Sequence, residues 1–370
     1  MTPWWQRAFQ ALQEEPGEPG PGGLLRAAAS FLSYFYGLGS RSHRQLYEKG
    51  WLAGRRLPAP VVSIGNLVVG GTGKTPLTAW LASRYQAAGC RVVILSRGYG
   101  GQAAGIQVVS DGRRLLRRPP QAGDEACLLA GKLPGIPVVT GGDRHRAGLR
   151  AWEAFHPDLF LLDDGFQHHS LHRDLDVVLL DASRPFGNGR LLPRGPLREP
   201  VATLQRPLIL VLTRYDDRRH RRTWVDLQAA FPRAVVVRAA FSQTVALRFP
   251  GGRRLSLLAL SQARLAAVAG LARPEVFAVS LRELGLHLCH FFVFPDHHAF
   301  SSREAAALTA AAARQGATGL ITTEKDWLRL APVWPGTMPV YVVPLEVHLL
   351  DDWPDHLVSL TCRGEEDSHE

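Results

Sequence analysis

Val61-Val-Ser-Ile-Gly-Asn-Leu-Val-Val69 runs directly into Gly70-Gly71-Thr72-Gly73-Lys74-Thr75-Pro76, and Leu77 to Ala88 continues with a helical pattern. The order is buried-type strand, glycine loop, helix. Backbone N–H groups in such a loop can surround phosphate oxygens only where side chains keep clear, which is why glycine recurs. Lys74 then reaches the terminal phosphates and Thr75 a magnesium ion. In the general pattern G-x-x-x-x-G-K-[ST] the first glycine would fall at Val68, so this loop is a variant with Gly70-Gly71 in its place. A phosphate loop also needs an acid at the end of a neighbouring strand to hold the metal. Leu159-Phe-Leu-Leu-Asp163-Asp164 supplies a buried-type run ending in two carboxylates. Neighbouring residues on a strand alternate faces, so one acid can meet the metal and the other a different partner.

Outward from this loop, short β-branched runs alternate with helical stretches: RVVILS, PVVTG, DLFLLDD, DLDVVLLDA and PLILVLTR. Such alternation predicts a doubly wound α/β domain, a mainly parallel sheet covered by helices on both faces. A second set (RLAAVAG, HFFVF, GLITTEK and PVYVVPL, with a helix over Ser301 to Gln315) follows a region rich in Arg, Gly and Leu, and predicts a second, smaller α/β domain. The expected organisation is a disordered leader at 1–23, a basic apolar segment at 24–58, the phosphate-loop domain at 59–250, the smaller domain at 251–360 and a frayed acidic tail at 361–370.

The 370 residues are 46% hydrophobic and 21% charged, with a formal charge of +10 that favours acidic partners: nucleic acid, phosphorylated substrates or an anionic membrane. Cys90, Cys127, Cys289 and Cys362 are scattered without a CxxC pair and suggest neither a thiolate metal site nor a disulfide framework, which fits a reducing cytosol. The stretch Leu24 to Gly39 is apolar but shorter than the roughly 20 residues a bilayer span needs. From Leu24 to Pro60 the six cations Arg26, Arg41, Arg44, Lys49, Arg55 and Arg56 face the single acid Glu48. Aromatic rings beside such cations suit an interfacial helix, and a helix packed on the protein's own core with a solvated basic face is the alternative.

Several further motifs follow in order: SRGYG at Ser96 to Gly100, GDE containing Asp124, GGDR ending at Arg144, DDGFQHH at Asp163 to His169, PLRE at Pro196 to Glu199, FPDHHAF at Phe294 to Phe300 and TTEKDW at Thr322 to Trp327. Together with GGTGKTP they resemble the tetraacyldisaccharide 4'-kinases, the lipid A 4'-kinases of Gram-negative bacteria. DDGFQH and GGTGKTP are the specific part, and the matches run from about residue 24 to 330. The resemblance implies a RecA-like P-loop domain joined to a smaller α/β domain, with an N-terminal helix that associates with membrane. It implies phosphoryl transfer from ATP, with Mg2+, to the 4'-hydroxyl of an acidic glycolipid, tetraacyldisaccharide 1-phosphate, at the cytoplasmic face of the inner membrane. Carried onto this chain, the family's hydroxyl-activating pair falls on Asp124 and His297, and Glu199 becomes a further acid on the metal side beside Asp163, Asp164 and Thr75.

The residue chemistry agrees. An alcohol attacking phosphorus gains from a carboxylate or imidazole that accepts its proton, and Asp296 stands next to His297 to orient the ring. Arg97 and Arg144 lie beside glycines at strand ends, where a planar guanidinium can meet a phosphate. Gln167 and His168 follow the paired acids into the same cleft, and His298 reads as a packing or surface histidine. Adjacent His168, His169 and His172 lack the carboxylate or cysteine arrangement of a zinc site. Two other readings are weighed: a P-loop kinase or NTPase for another small acceptor, which has no use for the basic apolar segment, and a partitioning or nucleic-acid-binding ATPase. The signature lysine of the partitioning ATPases is replaced by Val69 and no basic helix with interleaved aromatics is evident, so nucleic acid is not an expected partner.

Overall fold

A computed structural model of the chain describes residues 23–205, 208–271 and 274–354. The expected leader, but for Gly23, and the expected acidic tail lie outside the described residues. The helix α1 (Gly23–Glu48) precedes the first strand, β1 (Val61–Asn66), which the glycine loop connects to α2 (Lys74–Ala87). There follow β2 (Val92–Ser96), β3 (Gln107–Asp111), α3 (Asp124–Lys132), β4 (Pro137–Thr140), α4 (Arg144–Phe155), β5 (Leu159–Asp163), β6 (Leu175–Asp181), β7 (Ile209–Thr213), α5 (Asp217–Ala230) and β8 (Val235–Ser242).

These strands and one later strand form a nine-stranded sheet in the order β15-β8-β7-β6-β1-β5-β2-β4-β3. Its seven inner strands are parallel, and β3 and β15 (Glu346–Leu349) close its two edges antiparallel. Burial on both faces explains why β2, β5 and β7 read as near-continuous apolar runs rather than as alternating ones, and every residue of β1 is buried, Ser63 and Asn66 included. Val62 and Ile64 of β1 pack with Leu77, Leu81 and Tyr85 of α2 and Leu129 of α3. Val61, with Phe160 and Leu162 of β5, faces the other way onto Ala147 and Ala151 of α4. The domain is therefore doubly wound.

The smaller domain holds β9 (Val245–Phe249), β10 (Arg253–Ser256), β11 (Leu265–Ala269), α6 (Pro274–Glu283), β12 (Leu288–Val293), α7 (Ser302–Arg314), β13 (Gly319–Thr323), α8 (Glu324–Leu330) and β14 (Val340–Val343). Its six strands run β10-β9-β14-β13-β11-β12, with α7 on one face and α6 on the other. The chain leaves the large sheet after Ser242, enters the small one at Val245, and returns to the large sheet with β15. Two linkers thus join the domains, and Ser242 Oγ meets His348 Nε2 at 2.7 Å where they run together. The strands β3, β8, β9, β10 and β15 are not among the runs that the sequence pattern picks out. Cys127 and Cys289 are free thiols.

The loop after β5 crosses directly over β1 at Gly65, where an added Cβ would lie 2.9 Å from Phe166 N and 3.2 Å from Phe166 Cα. Backbone atoms cannot yield as a flexible side chain can, so Gly65 sets the height at which the DDGFQ loop passes over the phosphate loop. Gly65→Ala should cost about 1–3 kcal/mol of stability, read as a lower denaturant midpoint; an unchanged midpoint would mean the loop is free to lift.

Candidate active site

Asn66, the last residue of β1, organises the phosphate loop. Its Nδ2 donates to Val68 O at 2.7 Å and Thr72 Oγ1 at 3.0 Å, and its Oδ1 accepts from Lys74 Nζ at 3.1 Å. Gln167 Nε2 donates to the Asn66 carbonyl at 2.9 Å, tying the DDGFQ loop to the same point. Gly73 has φ 87°, the left-handed region that side chains disfavour, and a Cβ there would run into the Phe241 ring. Glycine at 73 therefore serves both the turn and the packing, while Thr72 and Thr75 are buried beside it.

The paired acids diverge. Asp163 ends β5 fully buried, met by Thr78 Oγ1 at 3.2 Å and Ser96 Oγ at 3.5 Å. Asp164 has φ 52°, which turns its carboxylate toward Lys74 Nζ at 3.4 Å and Arg198 Nη1 at 3.1 Å. Burial, then the like charges of Glu125 and Asp164, push the Asp163 carboxyl up to about 7. Burial acts in the same direction on Asp164, but Lys74 and Arg198 outweigh it and hold that carboxyl below the usual range. A desolvated carboxylate crowded by two others, with a buried threonine hydroxyl at the start of α2, is an oxygen donor set that suits a hard divalent cation. Glu199 is placed differently. Its Oε1 meets His169 Nε2 at 2.8 Å, and it lines a cavity of about 440 Å³ beneath α1 with Tyr36, His43 and Arg198. Among the described residues no group of three or more His, Cys, Asp and Glu could hold a metal, the histidine cluster included.

A basic rim adjoins the acids. Arg144, at the start of α4, is buried and donates to Gly142 O at 2.9 Å, while its Nε is buried with no partner. Burial first and then Arg97 lower its proton affinity, against the attraction of Asp164 and Asp163, which places all four within electrostatic reach. Burial, with Arg144 and Arg173, drives His168 down to about 4, so it is neutral at pH 7. Ser170 Oγ lies 3.1 Å from its Nε2.

The smaller domain supplies the other wall. His297, with φ 63°, brings Nδ1 to 2.8 Å from Asp124 Oδ2 in the first turn of α3. Asp296 stands 3.9 Å from the ring's Nε2. Arg329 on α8 also binds the Asp124 carboxylate, with Nε 2.8 Å from Oδ1. Lys325 reaches Glu125 at 2.9 Å, and Lys132 reaches Glu324 at 2.8 Å. His298 stacks on Phe294 and contacts Glu304 at 3.1 Å, as a packing histidine does. Sequence reasoning passed over Asn66, Arg198 and Arg329, although each adjoins or lies inside a quoted motif: the strand before GGTGKT, PLRE, and the helix that begins within TTEKDW.

On the far side, α1 lays small residues on the body. Ala29 and Ser33 are buried, Arg194 N donates to Ser33 Oγ at 2.9 Å, and Tyr36 OH donates to Arg198 O at 2.9 Å. The opposite face exposes Phe31 (66%), Tyr34 (64%) and Phe35 (53%) to solvent. No described helix is long and apolar enough to cross a membrane.

A glycine loop on a parallel sheet, two acids on the adjacent strand and a hydrogen-bonded Asp–His pair delivered by a second domain define a two-domain P-loop phosphotransferase. The chain belongs to the tetraacyldisaccharide-1-P 4'-kinase family, whose model matches residues 25–361. It is similar to the tetraacyldisaccharide 4'-kinase of Geobacter sulfurreducens, 43% identical over 332 residues that span 90% of this chain and 92% of that one. It is also similar to that of Syntrophus aciditrophicus, 38% identical over 351 residues, 91% and 93% of the two chains. The crystal structure of LpxK from Aquifex aeolicus in complex with ATP superposes with a TM-score of 0.73 at 33% identity, covering 91% of this chain and 98% of that one.

Because the folded chain binds the Asp163 proton more tightly than the unfolded chain does, the stability tied to that proton is present at low pH and falls as pH rises toward 7. Relative to the parent, metal-free and nucleotide-free Asp163→Asn should gain stability with rising pH, by about 1 kcal/mol per unit between pH 5 and 7, and stay level above that. Calorimetry across this range checks it; a pH-independent difference would contradict the desolvated carboxyl.

Proposed function

We propose that this protein transfers the γ-phosphoryl group of ATP to the 4'-hydroxyl of tetraacyldisaccharide 1-phosphate, the acidic glycolipid precursor of lipid A. The observation that carries this reading is the contact of Asp124 with His297 across the domain boundary. An NTPase needs no proton acceptor built for an alcohol, whereas a kinase for a sugar hydroxyl gains from one. Glu125, next to Asp124, acts electrostatically on Asp163, so the pair stands beside the phosphate-loop acids.

In this mechanism the loop N–H groups from Gly70 to Gly73 and the Lys74 ammonium hold the β- and γ-phosphates. Thr75 and Asp163 would hold Mg2+, which when bound neutralises phosphate charge, and Asp164 keeps Lys74 and Arg198 in place. The 4'-oxygen forms a bond to the γ-phosphorus as the bond from that phosphorus to the β,γ-bridging oxygen breaks and ADP leaves. The hydroxyl proton passes to the Asp124–His297 pair, and Asp296 steadies the ring. Arg97 and Arg144, with neutral His168 and Gln167 beside them, face an anionic group of the nucleotide or of the acceptor; the orphaned Arg144 Nε supports this. Glu199 lies under α1 with one oxygen on His169 and the other buried without a partner, available to the metal side that the family resemblance gives it.

The α1 surface supports peripheral attachment to the cytoplasmic face of the inner membrane. Its small-residue face is already packed on the body, leaving the aromatic face to enter the headgroup boundary while Arg41 and Lys49 meet anionic lipid. Phe31→Ser with Phe35→Ser should weaken binding to anionic vesicles about tenfold or more in sedimentation, since each ring contributes on the order of 1 kcal/mol or more when buried. Unchanged sedimentation would remove the helix from the membrane.

The transfer itself is tested with γ-labelled ATP and purified tetraacyldisaccharide 1-phosphate, with label expected in the lipid. Asp124→Ala and His297→Ala should each lower kcat about 10²- to 10⁴-fold with little change in KM for ATP. The double variant should lose scarcely more than the worse single one, because the two act as a unit. Losses that multiply would separate the two residues into independent roles.

A further inference from the structure

We infer that Arg329 is the positioning residue of the hydroxyl-activating pair: from the smaller domain it clamps the Asp124 carboxylate and, through it, aligns His297, so that closing the cleft and assembling the base are one event. This rests on the assignment of Asp124 and His297 made above and adds to it the group that holds them.

The helix α8 that carries Arg329 has a firm footing. Thr323 caps its first turn by accepting from Asp326 N at 3.2 Å, the buried Asp326 accepts from Gly270 N at 3.1 Å, and Leu330 is fully buried. The guanidinium, whose side chain is 13% exposed, therefore leaves a rigid element in one direction. Its Nε donates to Asp124 Oδ1 at 2.8 Å and its Nη2 to Oδ2, the two-point grip that a planar fork gives a carboxylate. Nη2 also stands 2.7 Å from His297 Nδ1, and Nη1 lies 3.5 Å from the His298 carbonyl. One cation thus touches the acid, the ring and the backbone that presents the ring.

The two partners need such a clamp for different reasons. Asp124 is buried at 6% exposure, and a desolvated carboxylate without a cation is costly. The His297 side chain is 45% exposed on a left-handed backbone, so packing does not fix its ring; its Nδ1 contacts do. Nδ1 can serve only one of its two neighbours as a hydrogen-bond partner. Carrying hydrogen, it donates to Asp124 Oδ2 and leaves the Nε2 lone pair free to take the hydroxyl proton. Bare, it accepts from Arg329, and Nε2 keeps a hydrogen. Arg329 spends its Nε–H and one Nη2–H on the Asp124 oxygens, and the carboxylate so fixed, 2.8 Å from the ring, draws the His297 hydrogen to Nδ1, the first arrangement.

The other two charged pairs between α3 and α8, Glu125–Lys325 and Lys132–Glu324, bind the same interface without touching His297. That separates holding the domains together from positioning the base.

The test compares Arg329→Ala, Arg329→Lys and, as the interface control, Lys132→Met in the full chain with γ-labelled ATP and the tetraacyldisaccharide 1-phosphate. Arg329→Ala should lower kcat by about 10²-fold with KM for ATP nearly unchanged, the loss expected when a reacting group is misplaced by about 1 Å. Added methylguanidinium should restore part of that rate. Arg329→Lys should fall between, since it keeps the charge and loses the fork, and it carries the test if the alanine variant does not fold. Lys132→Met should retain parental kcat. A folded Arg329→Ala or Arg329→Lys enzyme with parental kcat, a missing methylguanidinium rescue, or an equal loss in Lys132→Met would overturn the inference. Parental kcat in Asp124→Ala and His297→Ala would instead remove the assignment on which it rests.

Discussion

Four carboxylates, Asp124, Glu125, Asp163 and Asp164, are gathered beside one phosphate loop, and the structure is organised around compensating them. Each of three finds a cation from a different part of the chain: Arg329 for Asp124, Lys325 for Glu125, and Lys74 with Arg198 for Asp164. Asp163 is met by hydroxyls, and burial with like charges around it raises its proton affinity. It is the acid with most to gain from a divalent ion. A site for a highly charged nucleotide must be rich in charge, and it can be preassembled only if that charge is nearly balanced beforehand.

Two of those compensating cations come from the smaller domain, which gives that domain a chemical role as well as a structural one. The chain crosses between the sheets twice, after β8 and before β15, so the smaller domain is an insertion on two linkers rather than a C-terminal appendage. Phe241, at the end of β8, packs where a side chain at Gly73 would stand. The end of the strand that leads into the first linker is therefore in direct contact with the phosphate loop, and a shift in one is felt by the other through close packing.

The helix α1 divides into two faces, one of small residues packed on the body and one of exposed aromatic rings. Alanine, serine and glycine allow it to approach the Leu191 to Arg198 loop closely, and a Cβ at Gly37 would come within 2.8 Å of Leu191 Cδ1. Phe31, Tyr34 and Phe35 then have no surface left to cover among the described residues. The residues that line the cavity beneath it, Glu199 and Arg198, belong to the same loop and link the helix to the Asp164 carboxylate.

The sequence by itself determined the strand, glycine loop and helix order, the two sets of α/β runs and the paired acids, because each is carried by local composition or by a motif of fixed spacing, whereas the pairing of Asp124 with His297 came only from the resemblance of the GDE and FPDHHAF motifs to the family. The glycine at 73 could be read as a loop residue without coordinates. That the turn also admits the Phe241 ring could not, since Phe241 is 168 positions away. Glu199 shows the same limit: its type suited a metal, and only the fold shows that one of its oxygens meets His169 while the other is buried without a partner. The strands β9, β10 and β15 are short and half exposed, so they lack the apolar run that marks the buried strands. Asn66, Arg198 and Arg329 escaped notice because a polar residue's function lies in its partners, and in this fold those partners are brought within hydrogen-bond reach by tertiary packing.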